Sequence, residues 1–272
     1  MDPAPLPIDI DPGLAGELAE PFPPIANGFR AGYRVRFDEA GPDGAMRTSS
    51  LLRYAQDIAW RHSERTGFDR AWYAERGLGW VVRGVALELG APVPMGHTLR
   101  LETAVIGHKR IWARRLCECR LVTGELAARV TTDWVLLDGR GRIQRIPEAF
   151  GLAFSNPELD EDILRVPKPQ GPPATALDLS VRGRDLDPLD HVNNAVYLDW
   201  LWEARDAAGA AWTATPVAAL DIEYLASAAR GDTVTVAMHG TPAAWTAVIR
   251  GSSGVELVRA AGRAASEPRN PG

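Results

Sequence analysis

Arg184-Asp-Leu-Asp-Pro-Leu-Asp-His-Val-Asn-Asn-Ala-Val-Tyr-Leu-Asp-Trp-Leu-Trp-Glu203 is the most informative stretch of this sequence. Three acids, one histidine and two asparagines lie just before an apolar helix, which we predict over residues 194–207. Asn193 or Asn194 is a suitable capping residue at its start. One face of this helix is expected to be buried, because apolar residues recur at three- and four-residue spacing: Val196, Tyr197, Leu201 and Ala204.

An internal repeat extends this pattern to the first half of the chain. At an offset of 135 residues, Val82-Arg-Gly-Val-Ala-Leu-Glu88 aligns with Val217-Ala-Ala-Leu-Asp-Ile-Glu223. Further on, Trp112 meets Trp245 after a slip of two residues, as a change in hairpin length would produce. We therefore expect two copies of one folding unit.

Each copy is predicted to contain a short strand, a loop rich in Gly, Asp and Pro, a long helix and then four antiparallel strands. The first helix is expected over residues 48–65, with Ser49 as its capping residue. The strands are expected at 33–37, 79–89, 97–106, 111–121 and 127–137, and again at 177–182, 220–224, 233–238, 245–250 and 255–261. This order describes an α+β fold in which a sheet wraps around one long helix, twice, as a pseudo-dimer.

Proline-rich segments mark the expected domain boundaries. Residues 1–26 form a Pro-rich, acidic N-terminal tail. Between the two copies, regular structure is blocked by a second group of prolines: Pro157, Pro167, Pro169, Pro172 and Pro173. We place the first domain at 27–150, a Pro-rich linker at 151–175 and the second domain at 176–265.

Composition excludes several classes of protein. The formal charge of −5 argues against a general nucleic-acid binder. The sequence shows no apolar run of membrane-spanning length and no secretory signal, so we expect a cytoplasmic protein that does not insert into membranes. Cys117 and Cys119 are expected to be packing residues in a reducing compartment. Scattered histidines and the lack of a Gly-rich strand-to-helix loop predict neither a metal nor a nucleotide cofactor.

The polar residues before the second helix have two interpretations. Asp and Asn side chains could cap the helix and form the turn, while His191 hydrogen-bonds locally. One cap does not need both an acid and a histidine, so the pair Asp187 and His191 favours chemistry. Asn193 and Asn194 suit either interpretation.

The same segment resembles the Asp-x-Asp-x-x-Gly-His-Val-Asn-Asn signature of the hotdog thioesterases, including the 4-hydroxybenzoyl-CoA thioesterase-like group. Over residues 30–265, the chain resembles the plant-type and bacterial acyl-acyl carrier protein (acyl-ACP) thioesterase family. Four stretches are similar to that family's N-terminal hotdog: Gly41-Pro-Asp, Leu51-Leu-x-x-Ala-Gln-Asp-Ile-Ala59, Gly79-Trp-Val-Val-Arg83 and Thr131-Thr-Asp-Trp-Val135. The resemblance implies a tandem (double) hotdog whose catalytic loop lies in the second domain.

Carried over residue by residue, the resemblance implies a catalytic set. Asp187 falls on the family's catalytic carboxylate, and His191 falls on its histidine. Glu203 falls on the acid of the Tyr-x-x-Trp-x-x-Glu segment, and Asn193 comes from the His-Val-Asn-Asn motif. The chain departs from the family pattern at four positions, which favours a simpler mechanism centred on Asp187: Leu189 replaces an asparagine, Asp190 a glycine, and Ser227 and Ala228 a Glu-Cys pair.

The resemblance implies hydrolysis of fatty acyl thioesters, above all acyl-ACP, with release of the free fatty acid. Asp187 could activate water as a general base or attack the carbonyl carbon to form an anhydride. In the first copy, Asp187 aligns near Gly41 and His191 near Ala45, so one site per chain is expected, with the first hotdog shaping the acyl pocket. The candidate pocket residues are Leu51, Leu52, Ala55, Gln56, Trp80 and Val82.

The expected partner is an acyl carrier protein, or CoA, that carries the fatty acyl chain. Arginines that could meet an acidic carrier protein or CoA phosphates are Arg110, Arg114, Arg115, Arg182 and Arg184. The alternatives left open are an acyl-CoA thioesterase, a hotdog hydroxyacyl dehydratase and a non-catalytic acyl-thioester binding protein. The chain could act as a monomer or a homodimer.

Overall fold

The computed structural model describes residues 27–154, 159 and 161–265. The expected tail at residues 1–26 therefore lies outside the described residues. The chain divides into two compact units: unit 1 is Met1–Arg83 with Gly90–Ile163, and unit 2 is Gly84–Leu89 with Leu164–Gly272.

Unit 1 combines one long helix with antiparallel strands. Its elements are β1 (Phe29–Arg34), a 3-10 turn (Phe37–Glu39), α1 (Thr48–Arg65), α2 (Arg70–Arg76), β2 (Leu78–Leu89, which continues into unit 2), β3 (Thr98–Lys109), β4 (Trp112–Leu121), β5 (Leu126–Asp138) and α3 (Glu148–Phe154). The strands lie in the order β1-β3-β4-β5-β2. The pairs β1–β3, β3–β4 and β4–β5 are antiparallel.

Unit 2 repeats this plan. Its elements are β6 (Thr175–Ser180), a 3-10 turn (Gly183–Asp185), α4 (Asn194–Ala207), α5 (Ala210–Ala214), β7 (Val217–Tyr224), β8 (Thr233–Thr241), β9 (Ala244–Gly251) and β10 (Glu256–Ala264). The strands lie in the order β6-β8-β9-β10-β7, which matches unit 1 strand for strand. The fold is therefore α+β with antiparallel sheet, as the sequence predicts.

The ladder between β7 and Gly84–Leu89 supports the 135-residue offset. Gly84 pairs with Glu223, and Glu88 pairs with Ala219. Adding 135 to Gly84 gives Ala219, and adding 135 to Glu88 gives Glu223. The offset that aligns the two sequences therefore exchanges these two pairs. The two strands are therefore related in the register that the sequence alignment predicts.

The expected match of Trp112 with Trp245 is wrong. The β3–β4 ladder begins at the pair Leu99–Leu121 and the β8–β9 ladder at the pair Val234–Gly251. At the same distance from these starting pairs, Arg115 pairs with Val105 and Trp245 pairs with Gly240. The β3–β4 hairpin is longer, so Trp112 lies beyond the part that β8 and β9 share. Trp245 of unit 2 thus occupies the place of Arg115 of unit 1.

Both long helices begin and end at the predicted residues and bury the predicted faces. The buried side chains of α1 include Leu51, Leu52, Ala55, Ile58 and Ala59, and those of α4 include Val196, Tyr197, Leu201 and Ala204. Burial of one leucine or isoleucine side chain contributes about 1.5–3 kcal/mol. These apolar stripes hold α1 on β1 and β3, and α4 on β6 and β8.

Only one of the two helices has the expected cap. The Ala195 amide donates to Asn193 Oδ1 at 2.9 Å, so Asn193 caps α4. The expected capping role of Ser49 is wrong. The N-cap of α1 is Arg47, whose side chain makes no capping hydrogen bond, and Ser49 is buried in the first turn.

The first strand of each unit lies earlier than predicted, because the chain leaves it through a closed turn. The Arg36 amide donates to Glu39 Oε2 at 2.8 Å, and the Arg182 amide donates to Asp185 Oδ2 at 2.7 Å. The short helices α2, α3 and α5 are not predicted by the apolar pattern. The end of α3 also reaches four residues into the segment predicted as linker.

The two cysteines pack on one face of β4, as expected. Cys117 and Cys119 are both buried and free, and their Sγ atoms lie 4.0 Å apart. The hydrogen bond with Cys117, together with burial, raises the pKa of the Cys119 thiol well above its usual value. The thiol stays protonated, which suits a packing residue.

Gly262 should be intolerant of any side chain. A Cβ atom at this position would lie 2.2 Å from Trp245 Cε2, whereas a Cβ at Gly79 would meet nothing within 4 Å. We expect Gly262→Ala to lower the free energy of unfolding by about 1–3 kcal/mol through overpacking. The matched variant Gly79→Ala should change it little. Urea unfolding of both variants measures the difference, and equal midpoints would contradict the packing at Trp245.

Removal of the cap on α4 should destabilise unit 2. We expect Asn193→Ala to cost about 1 kcal/mol, because the Ala195 amide loses its acceptor, and Asn193→Ser to restore most of it. Asn194→Ala, one residue on, is the control, since alanine is a better helix former and no cap is lost. Thermal melts of the three variants test this. A loss in Asn194→Ala as large as that in Asn193→Ala would show that the cap is not the cause.

Candidate active site

A tightly closed loop precedes α4. The Asp187 amide donates to the His191 carbonyl at 2.8 Å, and the Asp190 amide donates to the Asp187 carbonyl at 3.0 Å. At the outer end, the Asn193 amide donates to the Asp185 carbonyl at 2.9 Å. These bonds return the chain onto itself and carry Asp187 to the beginning of the helix.

The Asp187 carboxylate is anchored through one oxygen only. Its Oδ1 accepts hydrogen bonds from the Leu189 amide at 2.8 Å and the His191 amide at 3.3 Å. Its Oδ2 has no hydrogen-bond partner in the described part of the chain, and the side chain is partly exposed. One oxygen therefore fixes the orientation of the group, while the other is open to a ligand or a water molecule.

Asp190 adopts the conformation for which the signature has glycine. Its φ angle of 59° is left-handed, a region that Gly enters freely and that Asp tolerates better than most residues. The Asp190 carboxylate is exposed and lies 3.4 Å from Arg230 Nη2. The departure from the signature is thus accommodated without a change in the loop.

His191 lies next to Asp187 through the backbone, and its side chain is exposed. The imidazole makes no hydrogen bond with any residue that the structure describes. It is therefore free to turn toward a bound substrate or water.

The N-terminus of α4 offers a further donor. Asn193 uses its side chain as the helix cap, and its neighbour Asn194 begins the helix. Among the described residues, the Asn194 amide has no hydrogen-bond acceptor. Free amides and the helix dipole make such an end favourable for negative charge.

Tyr197 is a neighbour of the candidate site that the motif does not reveal. Burial raises the pKa of its phenol, the Ala228 amide and the Ser227 hydroxyl oppose this shift, and the Asp232 and then the Asp187 carboxylate add to it. The Ala228 amide donates to the Tyr197 hydroxyl at 3.0 Å. The positions of the family's Glu-Cys pair, Ser227 and Ala228, therefore contact Tyr197. The spacing of four residues between Asn193 and Tyr197, one helical turn, is the signal that could have placed Tyr197 here.

Glu203 lies away from this group. It is exposed on α4, ten residues beyond the cap, which corresponds to roughly 15 Å along a helix axis. Direct contact with the Asp187 carboxylate does not follow from this position.

The corresponding loop of unit 1 has the same backbone but different chemistry. The Gly41 amide donates to the Ala45 carbonyl at 2.8 Å, and the Arg47 amide donates to the Glu39 carbonyl at 2.9 Å. Gly41 thus stands in the place of Asp187 and Ala45 in the place of His191, as the alignment predicts. Here the Ala45 amide donates to Asp43 Oδ1 at 3.0 Å, so the loop closes without a carboxylate at position 41.

The candidate pocket residues all belong to unit 1 and are mostly enclosed. Leu51, Leu52, Ala55 and Val82 are buried, and Gln56 and Trp80 are partly buried. Trp80 Nε1 donates to the Tyr73 hydroxyl at 3.0 Å, and its ring lies 5.1 Å from that of Phe150. It forms part of an aromatic cluster, whose other members include Phe68, Trp72, Tyr73, Phe150 and Phe154.

Two of the five arginines expected at the surface are in other environments. Arg114 pairs with Asp133 at 2.7 Å and with Glu161. Arg115 is buried in unit 1, so it cannot meet a carrier protein. Arg110, Arg182 and Arg184 are exposed and remain candidates.

Neither a metal-binding group nor a membrane span is found within the described ranges. In residues 27–154, 159 and 161–265, no cluster of His, Cys, Asp and Glu side chains could hold a metal ion. None of the helices there is long and apolar enough to cross a membrane.

The comparisons with known proteins agree with these observations. The chloroplastic acyl-[acyl-carrier-protein] hydrolase of Cuphea viscosissima is 26% identical over 196 residues, which are 65% of this chain and 47% of that protein. The chloroplastic dodecanoyl-[acyl-carrier-protein] hydrolase of Cinnamomum camphora is 28% identical over 206 residues, 68% of this chain and 53% of that protein. The chain spans about half the length of the relatives it matches.

Two solved structures have the same fold. The 12:0-ACP thioesterase from Umbellularia californica superposes with a TM-score of 0.75 at 23% identity, covering 89% of this chain and 98% of that one. An acyl-ACP thioesterase from Bacteroides thetaiotaomicron gives 0.76 at 14% identity, covering 88% and 98%. The family profile of the acyl-ACP thioesterase N-terminal domain matches residues 26–151, and that of the C-terminal domain matches residues 172–263. The chain belongs to the acyl-ACP thioesterase family.

Proposed function

We propose that this chain hydrolyses fatty acyl thioesters, with acyl-ACP as the substrate and the free fatty acid as the product. The observation that carries the proposal is the Asp187 carboxylate, held through Oδ1 at the start of α4 with Oδ2 open. Membership of the family and the names of the plant relatives support the choice of acyl-ACP over acyl-CoA. No cofactor is needed for this reaction.

In the proposed mechanism, Asp187 Oδ2 takes a proton from water while the water oxygen bonds to the thioester carbonyl carbon. The negative charge that develops on the carbonyl oxygen faces the Asn194 amide at the helix N-terminus, and one such donor is worth about 3 kcal/mol in a transition state. When the intermediate collapses, the C–S bond breaks and the proton passes to the leaving thiolate. Direct attack by Asp187, through an anhydride, uses the same carboxylate and the same donor.

The other candidate residues take supporting roles in this proposal. His191, whose imidazole is free, orients the water or the carbonyl group. Asn193 acts as the helix cap that keeps the Asn194 amide in place. Glu203 acts at a distance through α4 rather than by touching the reacting atoms.

The proposed architecture is a tandem hotdog with domains at 27–150 and 176–265, joined by the linker at 151–175. The first hotdog shapes the acyl pocket and is catalytically degenerate, because Gly41 replaces the carboxylate. The pocket is lined by the six residues predicted from the sequence. We further propose a cytoplasmic enzyme that acts as a monomer or homodimer without a nucleic-acid or membrane partner.

Asp187→Asn should abolish most of the activity without disturbing the loop. The amide oxygen of Asn can still accept from the Leu189 and His191 amides, while the charge and the basic oxygen are lost. We expect the turnover of acyl-ACP to fall by about 100-fold or more. The matched control is Asp190→Asn, an exposed acid of the same loop in a conformation that Asn also adopts.

Thiol release from a panel of acyl-ACP and acyl-CoA substrates measures this effect. Full activity in Asp187→Asn would refute the proposed mechanism, and release from acyl-CoA alone would change the proposed substrate. No release from any thioester would favour a binding protein or a dehydratase.

Glu203→Gln distinguishes contact from action at a distance. If Glu203 acts only through α4, we expect the turnover number to change by less than about tenfold, since the group touches no reacting atom. A loss as large as that of Asp187→Asn, at an unchanged melting temperature, would place Glu203 in direct contact with the reaction.

A further inference from the structure

A buried arginine without an acidic partner lies inside unit 1. Arg115, on β4, exposes only 7% of its surface. Its Nη1 donates to His62 Nδ1 at 2.9 Å and to Thr103 Oγ1 at 3.4 Å. No carboxylate in the described part of the chain pairs with this guanidinium.

His62 is neutral in this environment. A guanidinium has no acceptor atom, so His62 Nδ1 must accept from Arg115 and the ring proton must lie on Nε2. Burial, followed by the charges of Arg115 and Arg65, lowers the pKa of His62 to about 3. Burial lowers the pKa of the Arg115 guanidinium to about 10, so this group stays charged at neutral pH. The pair therefore carries one positive charge, on Arg115.

Three nitrogen atoms of this pair, which carry four N–H groups, have no acceptor. Arg115 uses only Nη1, so its Nε and Nη2 make no hydrogen bond with the described residues, and neither does His62 Nε2. The walls are aromatic: the Phe29 ring stacks 5.9 Å from His62, and the Phe154 ring lies 5.3 Å from it. The site thus combines a positive charge and free donors with apolar surroundings.

The two units differ in the residues at this place in the fold. By strand register, the place of Arg115 in unit 2 is taken by Trp245. The helix shift that aligns Arg47 with Asn193 takes His62 to Ala208. Unit 2 therefore has a tryptophan and an alanine at these positions. Its own buried guanidinium, Arg205, lies 5.6 Å over the Trp245 ring and donates to the Trp212 and Thr215 carbonyls, acceptors of a kind that Arg115 lacks among the described residues.

We propose that Arg115 and His62 form a subsite for a carboxylate at the distal end of the acyl chain. The proposal rests on the proposed function and names its substrate class, an acyl-ACP whose chain ends in a carboxylate instead of a methyl group. A carboxylate accepts two parallel N–H bonds from a guanidinium and cancels its charge. A methyl end would leave the buried charge unpaired.

The test compares chains of equal length. Dodecanoyl-ACP and hexadecanoyl-ACP are each assayed against their ω-carboxy counterparts, with the full-length protein. We expect kcat/KM to favour the ω-carboxy chains, and Arg115→Met to reverse that preference by about 100-fold or more, since a site built for a polar group strongly rejects chains that lack it. Arg140→Met, an exposed arginine of unit 1, is the charge control and should leave the ratio unchanged.

A second variant guards against misfolding. His62→Asn keeps an acceptor for Arg115 but lacks the Nε2 donor, so it should weaken ω-carboxy chains selectively and to a smaller extent. Equal losses on both chain types in both variants would mean a structural role and overturn the proposal. A preference of the wild type for methyl-terminated chains would overturn it as well.

Binding separates this proposal from the proposed function. Amide-linked pantetheine analogues of the same chains cannot be hydrolysed, and calorimetry reports their affinity whether or not the protein is an enzyme. Tighter binding of the ω-carboxy analogue, lost in Arg115→Met, would support the subsite even if no thioester is cleaved. Equal affinity for both analogues would overturn the subsite, even if methyl-terminated acyl-ACP is hydrolysed.

Discussion

The hydrogen bond from the Asn193 amide to the Asp185 carbonyl is the constraint on which the candidate site depends. It closes the loop at the point where α4 begins, so Asp187, which lies within the loop, must be at the N-terminal end of the helix. The apolar stripe of α4 then holds that end against the sheet. The position of Asp187 is thus set by backbone bonds and helix packing, and its side chain only completes the arrangement.

The loop of unit 1 shows how far this frame is independent of its side chains. Gly41 and Ala45 form the same backbone bonds at the positions of Asp187 and His191. In unit 2 the Asp187 carboxylate accepts a hydrogen bond from the His191 amide. In unit 1 the corresponding Ala45 amide donates to Asp43, which lies two residues further along the loop than the place of Asp187. One acid per loop is enough for closure. A carboxylate at the first position adds an open oxygen to a frame that is already complete. Under the proposed function, this is why the repeat holds one site and not two.

The elements that depend on local pattern could be predicted from the sequence, and those that depend on neighbours could not. The helix at 48–65 follows from apolar spacing alone, since a buried stripe needs only the helical period. The capping role of Ser49 fails because α1 already begins at Thr48, with Arg47 as its N-cap, so Ser49 lies inside the first turn. Tyr197 is recognised as a buried residue, but its hydrogen bond with Ala228 comes from a distant loop, between β7 and β8. Arg115 gives no signal in sequence, because an alternating strand contains charged residues on its exposed face and the register decides which face that is.

Arg115 also sets a limit on what stability alone can explain. An uncompensated buried charge costs several kcal/mol, a large share of the roughly 5–15 kcal/mol by which a domain is stable. His62 and Thr103 contribute neutral hydrogen bonds, which offset part of that cost but leave the charge. Unit 2 has Trp245 at this position but buries a guanidinium of its own, Arg205, whose Nη2 donates to the Trp212 and Thr215 carbonyls. Arg115 donates to no backbone carbonyl of the described residues, so an anion bound beside it would supply the missing acceptor and cancel the charge.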